Sequence, residues 1–184
     1  MNKENSNILF SDVMHEWIRI HSLLVAESTT YNYMKVIDRL ADIGNEYVGN
    51  ISQKQLQEMF IKYMEEGLST NTMKEFSKVI KQALDFAVNQ GYIQKSPYHN
   101  IVIPKAKKDE IKPFTVEEVR KLVSINMKDW IRDAIEISFR TGMRKGEIFA
   151  LEKDCIDFDK KFLTVKQTQT LDKNGKVMIG KPKT

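Results

Sequence analysis

The sequence predicts a mainly α-helical protein with a β-hairpin near its C-terminal end. Four amphipathic segments with capping residues fill the first half of the chain, and short loops between such segments are typical of a helical bundle. A charged segment bounded by prolines follows, and further on an Asn-Gly pair, a strong hairpin signal, lies between two β-rich segments. We therefore expect a helical domain over residues 8–103, a linker over 104–112 and a second, α+β part over 113–184.

The composition is that of an ordinary globular protein. With 184 residues, 41% of them hydrophobic, the chain has room for one large or two small domains. No apolar run approaches the roughly 20 residues of a membrane helix, and the polar start at Met1 differs from a signal peptide. We expect a cytoplasmic protein with no membrane partner. The single Cys155 excludes an internal disulfide. No Cys/His cluster suggests a metal site, and we expect no cofactor.

Positive charge is concentrated at the end of the chain. The net charge is +4, but residues 160–184 hold seven lysines against Asp172, so this segment is +6 and the remainder is −2. Such a tail is the electrostatic signature of a protein that binds a polyanion. A lysine-rich hairpin also resists unwanted edge pairing, so charge alone leaves both interpretations open.

The first two helices are predicted from apolar periodicity and from residues that favour helix ends. The first spans about Ser11 to Leu24, with Ser11 and Asp12 as its cap. The second starts near Ser28 and runs to Ile43, where Gly44 ends it.

The third and fourth helices have clearer boundaries. The third spans about Gln53 to Glu66, after a cap at Ser52, and Gly67 closes it. The fourth is the longest, because its pattern opens at residues 68–72 and continues to about Asn89.

The fourth helix has an apolar face and a basic face. Its lysines, Lys74, Lys78 and Lys81, recur at four- and three-residue spacing, which places them on one side. The hydroxyl and amide groups of residues 69–72 suit helix capping and equally suit phosphate oxygens. Taken alone, the lysines fit either a polyanion surface or a solvated helix face.

The second half of the chain mixes helices and strands. A capping box of Thr115 and Glu118 begins one helix, and a further helix over Ile131–Phe139 precedes Gly142 at its left-handed end. The predicted order after that is a turn, a strand, the Asn-Gly hairpin and a returning strand, at Asp154–Asp159, Phe162–Thr168, Asn174-Gly175 and Val177–Ile179.

The segment after Gly142 places cations where helix chemistry disfavours them. A short helix should restart at about Arg144, which puts Arg144 and Lys145 at the positive end of its dipole. This placement is reasonable where an anion binds, since a guanidinium holds a phosphate by two parallel hydrogen bonds. The alternative is a loop ion pair between Arg144 and Glu147.

Two groups of motifs resemble the tyrosine recombinase (phage integrase) family. Residues 141–148, with Leu151 and Asp154, resemble the first arginine motif of that family. Three further motifs resemble the core-binding domain of the family: Gly67-Leu68-Ser69, Ala83-x-x-Phe86-Ala87 and Gly91-Tyr92-Ile93-x-x-Ser96-Pro97. The family usually has Asn-Pro at the last position, and serine also suits that turn. The resemblance covers about 10–184 and implies a four-helix SAM-like core-binding domain followed by an incomplete α+β catalytic domain with the hairpin.

The resemblance also implies a partner and site residues. The partner is double-stranded DNA, and the candidate contacts are Thr29, Thr30, Lys35, Thr72, Lys74, Lys78 and Lys81. Arg144 matches the arginine that binds the scissile phosphate, and a lysine after the last strand matches the acid that protonates the leaving oxygen. We choose Lys183 over Lys181 because it lies beyond the strand, although both also fit plain surface lysines.

One part of the family's machinery has no counterpart in this sequence. The family reaction uses a tyrosine nucleophile and a second arginine motif, both after the first arginine, and no metal. All six tyrosines here precede Arg144. We therefore expect a fragment of a phage or mobile-element integrase that performs site-specific recombination and self-associates on DNA at full length. The alternative is a non-catalytic DNA-binding protein that occupies recombination sites.

Overall fold

The chain forms two compact units. The computed structural model describes residues 7–105 and 112–182. Contacts divide the chain into Met1–Lys108, which we call the helical unit, and Asp109–Thr184, which we call the C-terminal unit. The described residues are mainly helical, with small antiparallel hairpins in the C-terminal unit, so the predicted fold class is confirmed. Much of the predicted linker, residues 106–111, lies outside the described residues.

The described part of the helical unit is built from helices alone, apart from one isolated bridge. Their bounds are α1 Phe10–His21, α2 Glu27–Arg39, α3 Ala41–Gly44, α4 Gln53–Glu65 and α5 Thr70–Asn89. A 3-10 turn at Val48–Asn50 precedes α4.

The starts of α4 and α5 agree with the sequence prediction. Ser52 Oγ accepts a hydrogen bond from the Gln55 amide at 3.2 Å, while Gln55 Oε1 accepts one from the Ser52 amide at 2.9 Å. At α5, Ser69 Oγ accepts from the Thr72 amide at 3.1 Å. Each bond satisfies a first-turn N–H group that has no partner within the helix, so local chemistry determines where these helices begin.

The predicted cap of the first helix is wrong. The N-cap is Leu9, which makes no side-chain capping bond, and Ser11 lies inside the first turn. The helix starts earlier because the Phe10 amide donates to the carbonyl of Glu46 at 2.8 Å, a contact from a distant part of the chain. The C-terminal end also comes earlier than predicted, at His21.

The predicted second helix is two helices. The backbone leaves helical geometry at Leu40, with φ −94° and ψ 21°, and the Leu40 amide bonds to the carbonyl of Ile37 in a tighter turn. Leu40 is fully buried, so the break keeps it in the core. The short α3 then ends at Gly44, the residue predicted to stop the helix.

The chain that leaves α5 returns across the helical unit before the linker. The Tyr92 hydroxyl donates to Glu16 at 2.8 Å, and Tyr98 and Ser77 share a hydrogen bond. The Val102 amide donates to Gln57 Oε1 at 2.8 Å, and Gln57 Nε2 donates to the Val102 carbonyl at 3.1 Å. These bonds hold residues 92–103 against the core.

The C-terminal unit contains three α-helices, a 3-10 turn at Lys153–Cys155 and two small hairpins in its described part. The bounds are α6 Val116–Ser124, α7 Asp129–Thr141, α8 Lys145–Phe149, β1 Ile156–Asp157, β2 Phe162–Leu163, β3 Thr168–Leu171 and β4 Val177–Gly180. The predicted capping box begins α6: Thr115 Oγ1 accepts from the Glu118 amide at 3.2 Å, and Glu118 Oε2 accepts from the Thr115 amide at 2.8 Å.

The predicted strand over Phe162–Thr168 is wrong, because two strands with different partners occupy that region. β2 pairs antiparallel with β1, a strand that the sequence predicted as part of a turn, and β3 pairs antiparallel with β4. Between them Gln167 turns away, and its Nε2 donates to the Ala150 carbonyl at 3.0 Å.

The β3–β4 turn agrees with the Asn-Gly prediction. Gly175 adopts φ +80°, a conformation that favours glycine. Asp172 Oδ1 accepts from the amides of Asn174 and Lys176, both at 2.8 Å. The predicted returning strand, residues 177–179, lies within β4.

Candidate nucleic-acid interface

The turn between α7 and α8 places Arg144 at the start of a helix, as predicted. Gly142 has φ +69°, in the left-handed region, and its amide donates to the Ser138 carbonyl at 2.8 Å. The chain then reverses direction, and Arg144 becomes the N-cap of α8.

Glu147 holds Arg144 through two hydrogen bonds. The Arg144 amide donates to Glu147 Oε2 at 2.8 Å, and its guanidinium Nη1 donates to Oε1 at 2.9 Å. These bonds hold the pKa of the Glu147 carboxyl below its ordinary value. The ion pair considered as an alternative is therefore present. It coexists with an accessible guanidinium, because Glu147 is buried whereas the Arg144 side chain stays 74% exposed.

The β3–β4 hairpin packs closely on α8 at Gly146. A Cβ at this position would lie 2.5 Å from the Gln169 carbonyl oxygen and 2.6 Å from Thr168 Oγ1, closer than real side chains approach. Glycine is thus required for the hairpin to lie beside the helix that Arg144 begins.

Lys166 and Lys160 each pair with a carboxylate of the C-terminal unit. Lys166 Nζ lies 3.2 Å from Asp154 Oδ2, and Lys160 Nζ lies 3.6 Å from Asp157 Oδ2. The first pair lowers the pKa of Asp154 and raises that of Lys166. Lys183 lies outside the described residues, so its predicted position remains a prediction.

The predicted DNA contacts of the helical unit fall into two groups. The four lysines are exposed, whereas the threonines are at least partly covered. Thr29 and Thr72 are half-buried, and Thr72 Oγ1 shares a 2.9 Å hydrogen bond with Ser69 Oγ. Thr30 is only 7% exposed and its hydroxyl has no hydrogen-bond partner, which corrects its assignment: it is a core residue and does not offer its side chain to a phosphate.

Aromatic rings hold the basic side chains of α2 and α5 together. Lys78 of α5 lies over the Tyr33 ring of α2 at 5.1 Å, and Arg39 of α2 lies over the Phe76 ring of α5, also at 5.1 Å. A hydrogen bond to Tyr33 raises the pKa of Lys78, which keeps that side chain charged. On α2, Lys35 lies over the Tyr31 ring at 5.5 Å.

We define the α2–α5 basic strip by its exposed cations: Lys35, Arg39, Lys74, Lys78 and Lys81. Arg39 is not among the contacts predicted from the sequence. The signal was available, because Arg39 follows Lys35 by four residues and such residues share a helix face. Five exposed cations on two packed helices suit the regularly spaced phosphates of a nucleic acid.

No group of His, Cys, Asp or Glu side chains in 7–105 and 112–182 is arranged to hold a metal ion. Across the same residues, no helix combines the length and apolar character needed to cross a membrane.

The sequence is similar to known DNA recombinases. The model of the phage integrase SAM-like domain matches residues 9–108, more than half of the chain. A tyrosine recombinase XerC-like protein of Caldanaerobacter subterraneus subsp. tengcongensis is 27% identical over 193 residues, which cover 95% of this chain and 48% of that protein. A putative integrase/recombinase of Haemophilus influenzae is 26% identical over 83% of this chain and 53% of its own length. The chain therefore spans about half the length of these relatives.

Solved structures share the fold. The Tn1549 transposon integrase in complex with circular intermediate DNA superposes with a TM-score of 0.75, at 20% identity, over 96% of this chain and 58% of that one. A lambda integrase tetramer bound to a Holliday junction gives a TM-score of 0.65, at 19% identity, over 98% of this chain and 52% of that one.

Proposed function

Because the chain belongs to the tyrosine recombinase (phage integrase) family, with the SAM-like domain of that family at residues 9–108, we propose that it acts in site-specific DNA recombination. In this proposal the chain binds double-stranded DNA and supplies Arg144, the arginine of the first arginine motif. The observation that carries this proposal is the α2–α5 basic strip, which lies on the matched domain. Because the proposed substrate is DNA, we also propose that the protein is cytoplasmic.

In this proposal the helical unit binds the phosphate backbone. The five cations of the α2–α5 basic strip neutralise successive phosphates and release counterions, the main source of affinity for nucleic acids. Thr29 and Thr72, at the starts of α2 and α5, supply further contacts to phosphate oxygens. Contacts to phosphate oxygens carry no base information, so these groups position the protein without reading the sequence.

In the C-terminal unit, Arg144 binds the non-bridging oxygens of the scissile phosphate. Glu147 holds the Arg144 backbone and side chain, so the guanidinium is oriented before DNA arrives. Lys183 is proposed as the acid that protonates the leaving oxygen. In a protein that also carries the nucleophile, Arg144→Lys should bind DNA normally and cleave about a hundredfold more slowly in a plasmid-nicking assay, because lysine lacks the planar fork.

The strand-breaking step needs a tyrosine that these 184 residues do not place after Arg144. We propose that the complete integrase supplies this tyrosine and self-associates on DNA to exchange strands. If the Arg144→Lys protein cleaves DNA as fast as the unsubstituted protein, the catalytic assignment is wrong, and the DNA-binding assignment is unaffected.

A second candidate function is DNA binding without cleavage. The tyrosine positions favour it, because all six lie in the helical unit. A nicked suicide substrate traps any phosphotyrosine link, and we expect no covalent band from this chain on a denaturing gel. A covalent band that disappears on Tyr92→Phe would overturn both functional assignments.

Fluorescence anisotropy with a labelled duplex tests the DNA-binding proposal. We expect affinity to fall steeply between about 50 and 200 mM salt, and Lys74→Glu to weaken binding on unrelated sequences alike and to reduce the salt slope by about one. Lys54→Glu is the matched control, because Lys54 is exposed on α4, a helix that carries no cation of the strip. Absence of binding at low salt, or equal losses in the two variants, would disprove the basic-strip assignment.

A further inference from the structure

Two cations of the α2–α5 basic strip each lie over an aromatic ring of the opposite helix. Lys78 on α5 lies over the Tyr33 ring of α2, with 5.1 Å between its Nζ and the ring centre. Arg39 on α2 lies over the Phe76 ring of α5, with 5.1 Å between its Cζ and the ring centre. Attraction to a ring face restricts side chains that otherwise sample many rotamers in water. By contrast, Lys74 lies over no ring in the described part of the helical unit.

Both rings belong to the core of the helical unit. Tyr33 is 4% exposed and Phe76 is 2% exposed. The Tyr33 ring lies 5.6 Å from the Trp17 ring, and the Phe76 ring meets the Tyr63 ring edge-on at 5.5 Å. Close packing keeps core side chains in fixed rotamers. The position of each ring is therefore set by the core, and each ring in turn sets the position of the cation above it.

The two held cations remain able to bind a phosphate. Lys78 and Arg39 are both exposed. The Tyr33 oxygen accepts one hydrogen bond from the Lys78 ammonium, which has three N–H donors. A guanidinium over a ring uses its face and keeps the N–H donors along its edge. A side chain that is ordered beforehand loses less conformational entropy when a ligand binds it.

We propose that Tyr33 and Phe76 are positioning residues for DNA binding, which act through Lys78 and Arg39. In this inference the rings touch no DNA, and they hold the two cationic groups ready for phosphate oxygens. The inference rests on the proposed function, because it assumes that the α2–α5 basic strip binds DNA. It adds that part of the affinity is determined by buried rings, through the cation that each ring holds.

A double-mutant cycle tests this role by fluorescence anisotropy with a labelled duplex. Tyr33→Leu should weaken binding about two- to fivefold, the range expected for one exposed cation–ring contact. In a Lys78→Met chain the same substitution should cause no further loss, because the ring then has no cation to hold. In a Lys74→Met chain, the matched control, the loss should be as large as in the wild type.

Conservative variants separate the ring face from the fold. Tyr33→Phe keeps the face and removes only the hydroxyl, so it should lose less affinity than Tyr33→Leu. The second pair gives a repeat of the cycle, with Phe76→Leu in wild-type and Arg39→Met chains and with Lys81→Met as the control background. Circular dichroism of each variant gives the folded fraction at the assay temperature, and affinities are compared per folded chain.

Nuclear magnetic resonance without DNA reads the position of Lys78 directly. The ring current of Tyr33 should shift the Lys78 ε-methylene protons upfield of those of Lys74. Tyr33→Leu should abolish this shift, and Tyr33→Phe should preserve it.

The two assays together decide the inference. Unshifted Lys78 protons in the wild-type chain, or a Tyr33→Leu loss that is the same with and without Lys78, would overturn it and leave Tyr33 as a core residue only. In either case, DNA binding by the wild-type chain that Lys74→Glu weakens would leave the proposed function intact. Absence of DNA binding by the wild-type chain would instead overturn the proposed function, and this inference with it.

Discussion

The helical unit and the C-terminal unit achieve stability in different ways. Among the described residues, 21 apolar side chains are buried in one cluster of the helical unit. In the described part of the C-terminal unit, 112–182, four are buried, namely Val119, Met143, Ala150 and Cys155. The helical unit is therefore stabilised mainly by its own core, since burial of apolar area is the largest favourable contribution to folding.

The C-terminal unit leaves the apolar side of α7 open. None of the α7 residues is buried, although the helix carries a clear apolar face. A cavity of about 660 Å³ lies among α6, α7 and α8, and the Trp130 and Phe149 rings meet there at 5.9 Å while 56% and 43% exposed. Helix caps, ion pairs and a tight glycine contact therefore contribute a larger share of the stability of this unit.

Truncation of one phenylalanine in each unit should give the largest contrast. Phe60 is 1% exposed in the helical core, so Phe60→Ala should cost about 3–5 kcal/mol of unfolding free energy. Phe149→Ala should cost less than about 1 kcal/mol, because its ring is already partly in water. Hydrogen exchange by mass spectrometry reads the two units separately. Equal losses would show that the C-terminal unit has a core as complete as that of the helical unit.

Substitution of Gly146 should give the next largest effect and is confined to the C-terminal unit. Gly146→Ala places a methyl group 2.5 Å from the Gln169 carbonyl, and overpacking of this kind costs about 1–3 kcal/mol. Gly180→Ala is the matched control, since nothing lies within 4 Å of its added Cβ. We expect faster amide exchange in β3 and β4 for the first variant only. Normal exchange in both would mean that α8 and the hairpin separate freely.

The features that were predictable from sequence depend on residues close together in the chain. The caps at Ser52 and Thr115, the left-handed Gly142 and the Gly175 turn each form bonds within four residues. The spacing of the α5 lysines also predicted their common exposed face, because residues three or four apart in a helix lie on one side.

The features that were predicted wrongly depend on distant contacts. The start of α1 follows from a bond to Glu46, and the split strand follows from Gln167, which reaches back to Ala150. In the site, Thr30 was predicted to contact DNA, but the packing of the helices buries it. Periodicity within one helix cannot indicate which neighbour will cover a side chain.

Removal of one cap in each unit should have a smaller effect, and a similar one in both. Ser52→Ala and Thr115→Ala each delete a capping hydroxyl, at a cost of about 1 kcal/mol. Because capping is local, the loss of unfolding free energy should not depend on how much apolar surface each unit buries. We expect faster amide exchange in α4 for the first variant and in α6 for the second. A Thr115→Ala loss several times larger would show that the C-terminal unit depends on its caps for its whole fold.

The smallest expected effect is a pH dependence confined to the C-terminal unit. The Arg144 amide and guanidinium lower the pKa of Glu147 in the folded unit. Between that lowered value and the ordinary carboxyl pKa of about 4.3, the unfolded chain binds more protons than the folded one. The stabilisation by Glu147 is therefore complete above the ordinary pKa and is lost as pH falls through the lowered value.

The substitution Glu147→Gln isolates this contribution, because an amide keeps the shape of the side chain and does not titrate in this range. Asp154 also has a lowered pKa, through Lys166, so the wild-type chain alone would mix two carboxyls. The difference in urea midpoint between wild type and Glu147→Gln, read from Trp130 fluorescence, should be constant at neutral pH and shrink as pH falls below about 4. Trp17→Phe in both chains removes the signal of the helical unit. A difference that persists at low pH would mean that Glu147 acts by packing, and that Arg144 is held by its backbone alone.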